Sequence, residues 1–265
     1  MAHSQASDHH RFLAHHFQSH EQQFDAGKLG MWLFLVQEIL FFSGLFCAYA
    51  IYRGNHPEMF AYADHFLDRR LGAINTAILL FSSFTMAWAI RTTQLRQKAM
   101  SVALLCITIA CAVAFLGIKY IEYQHKFHDG LLWGRHYKPS AEAEELVHQS
   151  EQRGDALAAP QTAKPVFDDG QVNDLHRLHA PVDLDAATAR RPMNVHIFFG
   201  IYFAMTGLHA IHIIAGIGVL LWMVRRTVRG DFDDGYFAPV EYVGLYWHLV
   251  DLVWIYLFPL LYLIH

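Results

Sequence analysis

Ionisable side chains lie inside the long apolar runs of this sequence, where a charge is costly unless it faces other helices or a polar path. Carboxyl and imidazole groups at such places can move protons, bind metals or join helices by hydrogen bonds. Their types and positions therefore predict either proton handling or helix assembly. The groups concerned are Glu38, His209, His212, Glu241, His248 and Asp251.

Helical geometry groups some of these side chains. The last apolar run, YWHLVDLVWIYLFPLLYLI, holds His248 and Asp251 three residues apart. At 100° per residue, Glu241, His248 and Asp251 fall within an arc of about 80°, which predicts one polar stripe on this helix. His209 and His212 are about 60° apart on the preceding apolar segment and are expected to point into one crevice. A structural hydrogen bond is the simplest role for each histidine.

The sequence predicts no metal or haem site in this chain. His196 and His209 have the spacing of a four-helix dihaem cytochrome, but the second helix with two matching histidines is missing. The three cysteines lie in apolar runs without a C-x-x-C motif, so a copper site built on paired thiolates is not expected. They are Cys47, Cys106 and Cys111.

Composition excludes other classes of function. Hydrophobic residues make up 54% of the 265 residues and charged residues only 17%, and the net charge is -4. No basic stripe interleaved with aromatic residues is present, so nucleic-acid binding is not predicted. Residues 1–28 are polar and rich in histidine, with no apolar core of a signal peptide, and they predict an exposed arm.

Five segments are long and apolar enough to span a membrane, at 30–52, 71–91, 100–122, 196–224 and 239–263. The first has 23 residues, which at about 1.5 Å each cover a bilayer core of about 30 Å. The predicted fold is therefore an all-α integral membrane protein, a bundle of five transmembrane helices.

The chain divides into four parts on this basis: an arm at 1–28, helices 1–3 at 29–123, an insertion at 124–195, and helices 4–5 at 196–265. Basic residues near the span ends place the N-terminus in the cytoplasm and the C-terminus outside. The polar insertion then lies outside, with a short helix expected at 140–152. Lys119 and Glu122, at a span end, are expected to extend their head groups towards the interface.

Several motifs together resemble subunit 3 of haem–copper terminal oxidases, the cytochrome c oxidase subunit III family. QEILFFSGLFCAYAIYR carries Glu38 at the position of the family's buried glutamate, and LGAINTAILLFSS carries its Asn-Thr pair. TGLHAIHIIAG matches the family's G-x-H-x-x-H, and PVEYVGLYWHLVDLVWIYLF matches its E-x(5)-W-H-x-V-D-x-V-W. The resemblance covers every span, with IEYQHKF at the end of the third.

The resemblance implies a subunit without its own redox centre or catalytic residue. In the family, subunit I holds haems and copper, subunit II takes electrons from cytochrome c, and subunit III packs on subunit I, supports proton uptake and binds phospholipid. Proton support or buried polar roles then fall to Glu38, His209, His212 and Asp251. Lipid or helix–helix polar contacts fall to Asn75, Glu122, Glu241, Trp247, His248 and Trp254.

The chain departs from the common family pattern in two ways. It lacks the first two of seven helices, which border the lipid cleft in such members, and its insertion is longer than usual. The insertion at 124–195 is expected to contact subunit II or a cytochrome c domain. A ubiquinol oxidase subunit 3 and a nitric oxide reductase accessory protein remain alternatives, as do an independent proton-coupled transporter and a plain membrane scaffold. The expected location is the bacterial cytoplasmic membrane.

Overall fold

A computed structural model describes residues 17–131, 139–140, 145, 194–232 and 237–263. Five of its helices are long and apolar enough to cross a membrane, which confirms the predicted all-α membrane fold. Most of the helix expected at 140–152, most of the insertion and the first part of the arm lie outside the described residues. The helices of the described part are α1 His20–Asn55, α2 Pro57–Asp64, α3 Arg69–Gln94, α4 Lys98–His128, α5 Val195–Arg229 and α6 Ala238–Tyr262.

Helix α1 begins at His20, ten residues before the expected start of the span at 30. The Ser19 hydroxyl caps it by accepting a hydrogen bond from the backbone N–H of Gln22 at 3.2 Å. The Tyr242 hydroxyl of α6 donates to the Phe24 carbonyl at 2.8 Å. Residues 20–28, expected to belong to an exposed arm, are therefore helical, because a cap and a contact with α6 stabilise this first stretch.

The short helix α2 replaces the loop expected between the first two spans. Pro57 occupies its first turn, where the missing N–H costs nothing. Phe60 is fully buried, with its ring centroid 5.1 Å from that of Tyr49 on α1 and 5.2 Å from that of Phe198 on α5. Eight residues are too few for a clear helical period, so the sequence did not distinguish this helix from a loop.

Helices α3 and α4 form a hairpin through a tight turn at 95–97. Arg96 adopts a left-handed conformation in this turn, with φ 59°. Small hydroxyl side chains join the two helices, with Thr85 2.8 Å from Thr108 and Thr93 2.6 Å from Ser101. Small residues let the backbones approach closely, as in other membrane helix pairs.

The remaining helices assemble around this hairpin. Helix α6 packs against α3, α5 packs against α4 and α6, and α1 lies against α5 and α6. Helix α2 caps one end, where α1, α4 and α6 end and α3 and α5 begin; we call this the α2 end of the bundle. Most of the buried side chains belong to α3, α4, α5 and α6, so these four helices form the core.

Trp247 of α6 fits against a glycine of α5. Its indole N–H donates to the Ser82 hydroxyl at 2.9 Å, and its side chain is fully buried. A Cβ atom at Gly216 would lie 2.7 Å from a ring carbon of Trp247, closer than real Cβ contacts allow. Gly218, two residues further along the same helix, faces open space.

We therefore predict opposite outcomes for two alanine substitutions in α5. Gly216→Ala should lower the free energy of unfolding by about 1–3 kcal/mol, because Trp247 must move to accommodate the methyl group. Gly218→Ala should be neutral or raise stability by up to about 1 kcal/mol through helix propensity. Thermal unfolding of the purified protein measures both, and equal effects of the two substitutions would contradict this packing.

Candidate functional site

Glu38 of α1 pairs with His212 of α5. Glu38 Oε2 lies 3.0 Å from His212 Nε2, and the two side chains are 13% and 19% exposed. His212 is 17 residues from each end of α5, Val195 and Arg229, so it lies about 26 Å from each end, in the middle of a bilayer-spanning helix. The sequence alone could not assign the partner of Glu38, and the structure identifies it.

The second ring nitrogen fixes the protonation of this pair. His212 Nδ1 lies 2.9 Å from the Leu208 carbonyl oxygen, which can only accept, so Nδ1 carries a proton. The contact between Nε2 and Oε2 then requires one further proton. Either a protonated Glu38 donates to a neutral imidazole, or an imidazolium donates to a carboxylate. Both states are neutral overall, which suits a pair at mid-membrane depth.

The polar stripe predicted on α6 faces α3. Gln94 Nε2 donates to Glu241 Oε1 at 2.9 Å, and His248 Nδ1 lies 2.7 Å from the Ser83 hydroxyl. Asp251 is 2% exposed and lies near the same Ser83 hydroxyl, but within the described residues neither of its carboxylate oxygens makes a hydrogen bond of normal geometry. The stripe thus contains two helix–helix hydrogen bonds and one buried carboxyl without a partner.

The two histidines of the G-x-H-x-x-H motif do not share a crevice, contrary to expectation. His212 faces α1, whereas the fully buried ring of His209 lies 5.5 Å from Phe115 on α4 and 5.3 Å from Trp254 on α6. Because α5 lies between α1 on one side and the α4–α6 core on the other, a rotation of about 60° suffices to reach different helices.

The tryptophan side chains of the motifs lie at the α3–α6 contact. The Trp254 indole N–H donates to the Thr76 hydroxyl at 3.1 Å, about two turns of α6 beyond the bond between Trp247 and Ser82. Asn75, next to Thr76, is fully buried, and in the part of the chain that the structure describes its amide has no hydrogen-bond partner.

A buried charged cluster lies near the α2 end, and it is not a set of snorkelling side chains. Lys119, Glu122 and Lys126 are each 3% exposed. Lys119 Nζ lies 2.9 Å from Glu122 Oε2, and Lys126 Nζ lies 2.9 Å from Glu122 Oε1. The expectation that Lys119 and Glu122 extend towards the interface is wrong, because α4 continues for six residues beyond Glu122 and other helices enclose them.

Two tyrosines complete this cluster from α5 and α6. Tyr202 and Tyr262 donate to Glu122 Oε1 at 2.7 Å and 2.6 Å. Their oxygens then accept from Lys119 Nζ, at 3.1 Å and 2.7 Å, so Lys119 uses all three of its N–H groups. The carboxylate therefore joins three helices, although sequence reasoning assigned no role to Lys126 or to either tyrosine.

The charged cluster holds two ammonium groups and one carboxylate. Rings of Tyr123, Tyr202, Trp254 and Tyr262 surround Lys119 Nζ at 5.0–5.6 Å, and Lys126 Nζ lies 4.9 Å from the Tyr202 ring. The negative ring faces offset part of the surplus positive charge. The signal available in the sequence was the spacing of Lys119, Glu122 and Lys126, which places them on one face of α4.

No metal centre is formed by the residues that the structure covers. Within 17–131, 139–140, 145, 194–232 and 237–263, no three His, Cys, Asp or Glu side chains gather in an arrangement that could hold an ion. The described polar groups can join helices by hydrogen bonds and ion pairs, and a carboxyl–imidazole pair such as Glu38 and His212 can hold a proton between its partners.

Comparison with known proteins identifies related sequences. The family model of cytochrome c oxidase subunit III matches residues 8–129 and 188–265. The cytochrome c oxidase subunit 3 of Thermostichus vulcanus is 26% identical over 244 residues, which are 91% of this chain and 88% of that protein. The quinol oxidase subunit 3 of Bacillus subtilis is 24% identical over 250 residues, which are 92% of this chain and 91% of that protein.

A further relative is a longer protein. The heme-copper oxidase subunit I+III of Aeropyrum pernix is 23% identical over 246 residues, which are 91% of this chain and 23% of that protein. The name of that relative combines subunits I and III.

We predict that removing the central carboxylate of the charged cluster harms the protein more than removing one of its lysines. Glu122→Gln leaves two buried like charges without a counter-ion and should lower the free energy of unfolding by about 3–5 kcal/mol. Lys126→Met leaves the Lys119–Glu122 pair, which is neutral overall. This substitution should therefore lower the free energy of unfolding by a smaller amount. Thermal unfolding in detergent compares the variants, and a larger loss for Lys126→Met would refute this charge balance.

Proposed function

This chain belongs to the cytochrome c oxidase subunit III family, and on that premise we propose that it is a non-catalytic subunit of a proton-pumping cytochrome c oxidase. It would pack on subunit I, stabilise the complex and support proton uptake during aerobic respiration. Haem and copper would be held by the partner subunits, and this chain would hold no redox cofactor.

The observation that carries the proposal is the Glu38–His212 pair. The pair holds one proton between Nε2 and Oε2 at the middle of the membrane, and both of its neutral forms keep the hydrogen bond. Loss of that proton would leave a carboxylate without a donor in a low-dielectric setting, which is costly. Such a pair can give its proton to a neighbouring acceptor and later take one up again. It is neutral overall whenever it holds the proton.

The other polar motif residues support assembly in this proposal. His248 and Glu241 hold α6 against α3, and Trp247 and Trp254 anchor the same contact. Glu122 holds α4, α5 and α6 together at the α2 end. Asn75, His209 and Asp251 are the buried polar groups that remain for proton support or bound water.

Partners and location follow from the family. Direct packing on subunit I is supported by the relative named subunit I+III. We assign the chain to the bacterial cytoplasmic membrane, with its N-terminus in the cytoplasm, its C-terminus outside and membrane phospholipid bound at its surface. The large apolar side chains exposed along α1, among them Trp32, Leu33 and Phe41, support contact with lipid acyl chains or with a neighbouring subunit.

A ubiquinol oxidase subunit 3 is the second candidate, because relatives of nearly equal similarity carry quinol oxidase names. The electron donor is set by subunit II in this family and not by this chain. Purification of the complex distinguishes the two candidates. A subunit II with a dinuclear copper motif would indicate a cytochrome c oxidase, and a subunit II without this motif would indicate a quinol oxidase.

We predict that Glu38→Gln leaves the initial oxygen turnover normal but causes a progressive loss of activity over many cycles. The glutamine amide can still donate a hydrogen bond to His212 Nε2, so the contact between α1 and α5 is kept while the exchangeable carboxyl proton is removed. Oxygen consumption and proton uptake of the purified oxidase, followed over time, measure the effect.

Ser43→Ala is the matched control for this experiment. Ser43 lies on the same helix and its hydroxyl donates only to its own backbone, to the Ile39 carbonyl at 2.7 Å. This variant should keep the wild-type time course. If Glu38→Gln also keeps it, the chain acts as a scaffold without proton support.

We also predict a role for the insertion, which lies outside the described residues. Deletion of 140–190 should lower turnover with cytochrome c if the insertion contacts subunit II or a cytochrome c domain. Steady-state oxidation of cytochrome c, with an artificial electron donor as the reference, measures this. Unchanged assembly and unchanged turnover would remove the proposal for the insertion.

A further inference from the structure

Three polar side chains in the centre of the bundle are buried without hydrogen bonds. Asn75 on α3, His209 on α5 and Asp251 on α6 are at most 2% exposed. Both polar atoms of each side chain lack a hydrogen-bond partner within the described part of the chain. Buried polar atoms of native proteins are nearly always paired, with protein groups or with ordered water.

One tryptophan, Trp254, relates the three side chains, through a ring contact with His209 and through the helix positions of Asn75 and Asp251. Trp254 donates its indole N–H to Thr76, the residue next to Asn75. The Trp254 ring centroid lies 5.3 Å from that of His209. Asp251 lies three residues before Trp254 on α6, about one helical turn away on the same buried face. Side chains from three helices thus bring unpaired donors and acceptors to one region of the core.

We propose that the core of the bundle holds an internal water site formed by Asn75, His209 and Asp251 around Trp254. Water can donate to the Asn75 carbonyl oxygen, accept from its amide nitrogen, and bond in either sense to the imidazole and the carboxyl group. A buried water makes about three hydrogen bonds, so about two waters would serve the two polar atoms of each of the three side chains.

Other ways to satisfy these atoms fit less well. Across the described residues no group of three His, Cys, Asp or Glu side chains could hold a metal ion. An apolar ligand would leave every one of the polar atoms unpaired. Direct pairing after rotation of the side chains, for example of Asp251 with the nearby Ser83 hydroxyl, is the remaining alternative, and it would leave the region dry. The water site requires no oxidase activity, so it stands or falls independently of the proposed function.

The site has a chemical consequence for Asp251. A carboxyl group that touches ordered water can exchange its proton without unfolding of the bundle, whereas a carboxyl group in a dry core cannot. The interior of this chain would then contain exchangeable protons on both sides of α5, at Asp251 and at the Glu38–His212 pair.

X-ray radiolytic footprinting of the intact purified complex tests the site, because radiolysis of bound water oxidises the side chains beside it. Phe115 and Phe198 form a matched pair, since both are phenylalanines of at most 1% exposure. Phe115 contacts His209 and Trp254, whereas Phe198 contacts the rings of Phe60 and Phe199. We expect oxidation of Phe115 and not of Phe198. Equal absence of oxidation at both would overturn the proposal and favour direct pairing.

Substitutions then identify the residues that hold the water. Asn75→Leu and Asp251→Leu should each reduce the oxidation of Phe115 to the level of Phe198. Thr85→Val is the control, because it removes another buried hydroxyl of α3 whose partner, Thr108, is already present at 2.8 Å. Oxidation of Phe115 that persists in both leucine variants would overturn the assignment. If a leucine variant does not assemble, the wild-type comparison of Phe115 with Phe198 still decides.

Discussion

Glu122 is the group on which the packing of three helices depends. A membrane interior offers no water to an exposed charge, so each polar group at that depth must find its partner within the protein. The carboxylate meets this requirement with two lysines of its own helix and with one tyrosine from each of α5 and α6. Because every one of these bonds is enclosed, a shift of α5 or α6 would break several at once. The arrangement fixes the relative depth of the helices more strictly than apolar contacts, which can slide.

Helix α1 is held in a different way. It lies on the outside of the core. Hydrogen bonds attach it to α5 and α6 at three levels along its length: Tyr242 to the Phe24 carbonyl, His212 to Glu38, and Tyr49 to the Leu260 carbonyl. The middle contact is the one that requires a proton between two titratable partners. Attachment of α1 therefore depends on the protonation of this pair, since a change in protonation alters one of the few bonds that hold this helix.

Particular residues show how far the sequence could lead. Hydropathy identified all five spans, and the positions of Glu38 and of the α6 stripe follow from helical periodicity alone. The charged cluster was not predicted, because the apolar run ends near Glu122 while the helix itself continues to His128. Lys119 and Glu122 therefore resembled groups at a membrane interface. The partner of Glu38 could not be chosen either, since His209 and His212 differ by only 60° and the choice depends on which helix lies on each side of α5. Tertiary contacts between distant segments determine these partners, and they cannot be predicted from a single sequence.

The layout of the charged cluster also bears on how the protein is made. Tyr202 and Tyr262 follow Glu122 by 80 and 140 residues, so neither exists when α4 leaves the ribosome. Both lysines, by contrast, lie three and four residues from Glu122 on the same helix. A nascent helix that brings its own counter-ions enters the lipid with one net charge in place of three separate ones, which lowers the cost of its passage from the insertion machinery. The ion pairs thus serve α4 while it is alone in the bilayer, and the tyrosines join them when the later helices arrive.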